Sequence, residues 1–353
     1  MSIYIILLMS ILVLGFYQKR GAISVSKYCK IIGFLFVLIT GLRSNDVGSD
    51  TTVYYMRYER LCNVNSLHEA IANYGDIAYY AFAWLYAHNG LPFWCLTLTV
   101  ALFFYFTVTR FIIKYSVDPT LSLLMLMAFN FFQFSMTGIR QTIAFGFMLL
   151  TLYEAFKPKS NLKTILIYIL IGYFFHNSCV ICLLIVPMLL LKNSQSPGLI
   201  IISILIIATG LIFRTQMVNL LLILSADSRF SAYNSMENQG AGFTTYLLYF
   251  IIYIVLLYNK TSYIKQTQRG LLDFGLLVVA IFFQALVLVE PVMFRIAWYF
   301  SIALIIILPQ IINTFSKSNR AIANTITYAG VLFMYLGITM GSATVLPYKF
   351  FWQ

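Results

Sequence analysis

Residues 198–213 read GLIIISILIIATGLIF, sixteen positions without a charge, closed by Arg214. Crossing ~30 Å of hydrocarbon takes about 20 predominantly apolar helical residues. Lipid cannot hydrogen-bond a bare backbone, so a run of this kind folds as a helix that satisfies its own polar groups. Comparable runs recur at 243–258, 270–289 and 321–341. Across all 353 residues, 61% are hydrophobic and only 10% charged, with mean hydropathy +0.87. A soluble domain carries roughly 25% charged residues, so the composition excludes one. The longest polar stretch, 43–75, has only about thirty residues, too few for a separate domain. The expected class is an all-α polytopic membrane protein, a single integral domain over 1–353. The first apolar run begins at Ile3 without a basic leader or a small-residue cleavage site and reads as a retained helix.

The net charge of +12 would suggest nucleic acid in a soluble protein. Here loop charge marks topology first, because cytoplasmic loops collect Lys and Arg. No nucleic-acid partner is expected. Basic clusters fall at Lys19/Arg20/Lys27/Lys30, Arg110/Lys114, Lys157/Lys159/Lys163, Lys192, Lys260/Lys265/Arg269 and Lys317/Arg320. Placing all six inside predicts about twelve transmembrane helices (range 10–12), with both termini outside. The spans would be 3–17, 31–42, 93–113, 119–136, 139–156, 164–175, 178–191, 198–213, 243–258, 270–289, 292–308 and 321–341. A long outer loop, 43–92, follows the second helix, and a second outer loop covers 214–242. Segment 76–92 is apolar enough to cross, but a crossing would invert every later loop, so it reads as re-entrant or interfacial. The spans 164–175 and 178–191 read as half-spans meeting at His176, a break of the kind that lines a cavity. The expected location is the bacterial inner membrane.

Fifteen basic residues then lie inside and eight outside; seven of the eight are arginine, against four inside. Arginine's planar fork grips phosphate oxygens in pairs, which lysine cannot do. Four constellations on the outer side carry candidate chemistry. The first is Gly41-Leu42-Arg43 through Gly48-Ser49-Asp50-Thr51 to Tyr54, in which Gly48 permits a turn and Asp50, with Thr51 and Thr52, is placed to cap a helix from Val53 to Leu61. Next comes Thr137-Gly138-Ile139-Arg140-Gln141, a tight hairpin that puts Arg140 at a helix start, where free N–H groups favour anions. Phe175-His176-Asn177 holds the single histidine of the helical core, and an ionisable group at that depth is a functional suspect. The fourth is Glu290-Pro291 through Arg295, with Pro291 suited to a first helical turn. The competing reading for Arg43 and Arg140 is snorkelling, and for Glu290 and Arg295 an internal ion pair. A topology drawn from the positive loops alone nonetheless puts Arg43, Asp50, Arg140, His176, Glu290 and Arg295 at one membrane face.

The five cysteines have no framework spacing, and Cys179-x-x-Cys182 inside an apolar helix reads as packing. No metal and no cofactor is expected: Asp46 and Asp50 have no further ligand nearby in sequence.

The run Gly41-Leu42-Arg43 to Asp50-Thr51 and Tyr54, then Ile139-Arg140-Gln141, Phe175-His176-Asn177-Ser178, Arg295 to Tyr299-Phe300 and Leu346-Pro347-Tyr348 resembles the EpsG-like branch of the Wzy-type polysaccharide polymerases. The order and spacing hold over nearly the whole chain. The resemblance implies a membrane-embedded, GT-C-like glycosyltransferase that moves a growing glycan from undecaprenyl pyrophosphate to the non-reducing end of a lipid-linked repeat unit. The product would be O-antigen, capsule or exopolysaccharide. Its implied partners are the lipid-linked donor and acceptor, membrane lipid and, as an option, a chain-length regulator. Arg43, Arg140 and Arg295 would then bind pyrophosphate, with Tyr54, Gln141, Glu290 and Tyr348 in support. His176 and Asp50 are the alternative bases for the acceptor hydroxyl, His176 slightly favoured. A ligase with similar substrates and a flippase of the lipid-linked unit are the rival readings.

Overall fold

The computed structural model describes residues 2–72, 76–193, 198–225, 241–267, 269, 271–341 and 345–353. The chain opens with α1 (Ser2–Lys19), α2 (Val25–Gly41), α3 (Thr51–Leu61), α4 (Leu67–Ala72), α5 (Ile77–His88), α6 (Phe93–Tyr115), α7 (Pro119–Ala128), α8 (Phe131–Ser135), α9 (Ile139–Ala155) and α10 (Leu162–Phe175). After 3-10 turns and α11 (Ile185–Met188) come α12 (Gly198–Ile212), α13 (Arg214–Ser225), α14 (Ala241–Tyr258), α15 (Lys260–Thr267), α16 (Leu272–Leu286), α17 (Phe294–Ser301) and α18 (Leu304–Asn313). The last helix is α19 (Lys317–Gly341). Among the described residues there is no strand, only an isolated bridge between Arg43 and Phe350. Two compact units result, Met1–Val180 with Lys317–Gln353, and Ile181–Ser316.

In the first unit, caps fix where helices begin. Ser24 accepts from Lys27 N at 3.2 Å, Asp118 from Leu121 N at 3.2 Å with Pro119 following it, and Asn161 from Thr164 N at 3.3 Å. Each satisfies one of the orphan donors of a helix start. Helices α2 and α6 run antiparallel in close contact. A Cβ on Gly41 would stand 2.7 Å from Leu98 Cα, so only glycine lets the two backbones approach there. At one end of this unit Lys19, Asp118 and Tyr328 join α1, α7 and α19, with Lys19 Nζ 3.0 Å from the Asp118 carboxylate. The second unit is organised around α16, which packs on α12, α14 and α17. A buried triad ties its α15 end: Arg269 Nε and the Tyr263 hydroxyl both donate to Asp273 Oδ2, at 2.7 and 2.6 Å.

The outward sides of several helices are apolar. Ile6, Phe106, Ile201 and Leu205 are 62%, 63%, 62% and 59% exposed. Apolar side chains in such numbers on the outside suit lipid rather than water. By length and composition, Ser2–Lys19 and Phe93–Tyr115 can cross a membrane, and up to five spans result if three bent helix pairs each count as one. Twelve continuous spans are not found among the described residues, because several apolar runs are broken. The expected span 119–136 is two helices, interrupted where Asn130 takes a left-handed φ of 65°, a conformation asparagine tolerates better than most residues. The expected 292–308 bends by 56° between α17 and α18. His176 does mark a break, but the segment after it is mainly 3-10, Asn177–Leu184. The segment read as a second outer loop begins with helix α13, bent 78° from α12, and its residues 226–240 lie outside the described ones. Helix α5, in the segment read as re-entrant or interfacial, has twelve residues, about 18 Å at 1.5 Å per residue. It lies against α3, α4, α6 and α10.

Candidate functional site: an arginine and tyrosine cluster

At the end of the first unit opposite Lys19 and Asp118, α2 stops at Gly41, whose carbonyl accepts from the Thr97 hydroxyl at 2.7 Å. The chain then folds back over Arg43. The guanidinium donates through Nη1 to Thr40 O and through Nε to Val47 O at 3.2 Å. Residues 348–351 close over it: Ser44 N donates to Lys349 O and Phe351 N to Leu42 O, both at 2.9 Å, and the Tyr348 hydroxyl donates to Ile39 O at 2.7 Å. Arg43 is only 3% exposed, and its Nη2 has no hydrogen-bond partner. Burial pushes its pKa down to about 10, opposed by the surrounding phenols of Tyr348, Tyr105, Tyr4 and Tyr79. At neutral pH it therefore keeps its charge.

Residues 47–51 are clamped to the hairpin that precedes α9. Gly48 has φ of +100°, and a Cβ there would run into the Met136 carbonyl oxygen, so the turn requires glycine twice over. The Thr51 hydroxyl bonds to both Val47 O and Met136 O at 2.8 Å. Helix α3 starts at Thr51, two residues before the expected Val53, and Asp50 occupies its N-cap position without a side-chain cap bond. The backbone of Asp50 is already near-helical (φ −97°, ψ −6°), whereas a capping side chain needs the extended conformation. The capping role expected of Asp50 is thus corrected; its carboxylate accepts from the Ser49 hydroxyl at 3.3 Å.

The clamp brings Arg140, in the first turn of α9, against α3 and α5. Its Nε donates to the Tyr54 hydroxyl at 3.1 Å, and Nη1 pairs with the Asp76 carboxylate. Arg57, one turn after Tyr54, donates to the Tyr80 hydroxyl at 2.8 Å. Tyr79 stands between these groups, edge-on to Tyr54 and to Tyr80 at 5.7 and 5.2 Å. Burial raises the Tyr79 pKa, the phenols of Tyr54 and Tyr80 raise it further, and Arg140 and Arg57 oppose them. Arg43 is also within electrostatic range of Tyr79. Arg140 and Arg57 are thus held by Tyr54 and Tyr80, the two phenols packed edge-on to the buried Tyr79, with Asp76 the carboxylate bound to Arg140.

Of the residues expected from the sequence, Arg43, Tyr54, Arg140 and Tyr348 meet here, with Asp50 at the head of α3 and Gln141 buried beside Arg140. His176 caps α10, its N–H bonded to Gly172 O at 2.9 Å. The preceding Phe175 packs on Phe82 of α5 and Phe147 of α9. Glu290 and Arg295 belong to the second unit. There Glu290 accepts from Val292 N at 3.4 Å, capping the 3-10 turn Pro291–Met293, and Arg295 lies in the first turn of α17. Asp76, Arg57, Tyr79 and Tyr80 were not singled out from the sequence. The i, i+3 spacing of Tyr54 and Arg57 on a helix was the available signal.

Apolar helices with outward-facing apolar side chains are compatible with a membrane protein, and the first unit carries a buried arginine and tyrosine cluster at one end. The model of the EpsG family matches residues 26–350, and the chain belongs to that family. No curated protein and no solved structure matches.

Proposed function

We propose that this chain is a glycosyltransferase of the cytoplasmic membrane that polymerises surface polysaccharide, transferring a glycan from undecaprenyl pyrophosphate to the non-reducing end of a lipid-linked repeat unit. Family membership supports an exopolysaccharide-related polymerase. The observation that carries the finer reading is the pair Arg140 and Arg57, held by the Tyr54 and Tyr80 hydroxyls beside the turn that follows Arg43. As the glycosidic bond breaks, negative charge grows on the departing pyrophosphate, and fixed guanidinium donors stabilise it without reorganising. Arg43 contributes its charge from beneath residues 348–351, where its Nη2 is buried. Asp76 orients Arg140 rather than reacting. Arg295 would add a further cation, the role the family resemblance gives it. The base for the acceptor hydroxyl is His176 or Asp50, with His176 favoured because it ends a helix whose last turn packs on α5. The site faces the periplasm or exterior.

The test is polymerisation by the purified protein in nanodiscs from a synthetic lipid-pyrophosphate repeat unit. Wild type should give a ladder of products. Arg57→Ala and Arg140→Ala should slow transfer by about 10² or more, the weight of a charged transition-state contact. Unchanged ladders in both would reject the pyrophosphate role.

A further inference from the structure

At the far end of α2 and α6 from Arg43, a cavity of about 510 Å³ opens to the outside of the first unit. Two helix faces line it with the same spacing. From α2 come Ser26, Lys30, Gly33, Phe34 and Val37, and from α6 come Leu102, Phe106, Thr109, Arg110 and Ile113. Each set advances by four, three, one and three residues, eleven steps in all, a groove about 16 Å long at 1.5 Å per residue. Its chemistry is graded along that length. Lys30, Arg110 and Lys114 stand at one end, and Phe34, Val37, Leu102 and Phe106 continue toward the middle of the helices. Arg110 is held at the mouth by the Tyr153 ring, 4.6 Å from its centroid. No carboxylate among the described residues pairs with any of the three cations, although Lys19, Lys157 and Arg269 each have one. Their positive sign suits a cytoplasmic membrane edge. That rule does not account for their meeting without counter-ions at the head of an apolar groove.

We propose that this groove binds an anionic glycerophospholipid, its phosphate between Lys30, Arg110 and Lys114 and an acyl chain along Phe34 and Phe106. Charge complementarity selects the head group, because three unpaired cations favour a phosphodiester with net negative charge over a zwitterionic one. The wide exposure of Phe34 and Phe106, 58% and 63%, leaves the tail side open to the bilayer. This site depends on the chain lying in a membrane and not on the polymerase reading.

The experiment is native mass spectrometry of the full chain released from nanodiscs of phosphatidylglycerol and phosphatidylcholine with matched tails. Wild type should retain phosphatidylglycerol selectively, K30Q/R110Q/K114Q should retain about tenfold less, and K159Q/K163Q, exposed lysines outside the groove, should behave as wild type. Equal loss in both variants would show general attraction to basic loops and overturn the proposal, as would no loss in either. Displacement by excess inorganic phosphate to the level of the triple variant would make this a free-anion site and also overturn it. A second measurement does not require the triple variant to fold. In Phe106→Trp, tail-brominated phosphatidylglycerol should quench the added indole more than tail-brominated phosphatidylcholine at equal mole fraction, and equal quenching rejects the groove.

Discussion

Asp76→Asn isolates the contact on which the arginine cluster is built. The side chains of Asp76 and Arg140 are 5% and 13% exposed, so each charge was taken out of water to meet the other. Removing one partner of a buried pair costs about 3–5 kcal/mol, because the survivor keeps its desolvation cost and loses its counter-charge. In Asp76→Asn the guanidinium of Arg140 keeps the Tyr54 hydroxyl and gains an amide oxygen. The expected loss is therefore at the lower end, about 3 kcal/mol, or roughly 10² in the folding equilibrium. Arg140→Gln should cost a similar amount by stranding the carboxylate. The double variant should lose less than the two singles added, by a coupling of at least ~1 kcal/mol, since the residues touch. Reversible unfolding in SDS mixed micelles, followed by the fluorescence of the four tryptophans, measures all three. Asp76→Asn within ~0.5 kcal/mol of wild type, or strictly additive losses, would refute a buried ion pair as the organiser of this end.

Gly48→Ala should lose well over 1 kcal/mol and most polymerisation, because it combines a positive φ with a collision at Met136 O; Gly330→Ala, in open space on α19, should lose nothing in the same unfolding assay. Asp273→Asn should destabilise the second unit by about 3 kcal/mol and Tyr263→Phe by about 1, read as thermal midpoints of the purified protein. For the base, glycan transfer by the two variants decides: if His176 takes the proton, His176→Gln should lose the pH dependence of transfer and Asp50→Asn should keep it, and the reverse pattern moves the role to Asp50. Single cysteines at Ser49 and Lys159 in a cysteine-free protein should label with an impermeant thiol reagent from opposite sides of the membrane, Ser49 from outside; labelling of both from one side removes the positive-inside topology.

Continuous apolar runs carried most of the helix boundaries. Runs 198–213 and 139–156 correspond to Gly198–Ile212 and Ile139–Ala155, because in both the polar punctuation coincides with the physical end of the helix. Hydropathy is blind to what interrupted 119–136. Nothing apolar changes at Asn130; a single residue entering the left-handed region ends α7 and starts α8. Similarly, Arg43 and Arg140 stood out because a charge beside an apolar run needs a reason. Asp76 did not, since a carboxylate at the edge of a polar stretch looks solvated until a fold places a guanidinium on it. Arg57 lies in a polar stretch where a solvated cation is unremarkable, and it gains meaning only in the helix of residues 51–61, which turns Tyr54 and Arg57 toward α9 and α5. Partners distant in sequence, 64 residues for Arg140 and Asp76, leave no local periodic trace.

The bridge between Arg43 and Phe350 also sets an order of events during biogenesis. Synthesis runs from the amino end, so α2 and Arg43 leave the ribosome some three hundred residues before the segment that covers them. At roughly 5–20 residues per second, that guanidinium waits tens of seconds or about a minute for Tyr348 and Phe350. Throughout that interval its charge must be kept hydrated at the membrane edge or shielded by another protein. An arrested or prematurely released chain would then carry an uncovered cation at the end of α2, a feature that membrane quality control could recognise.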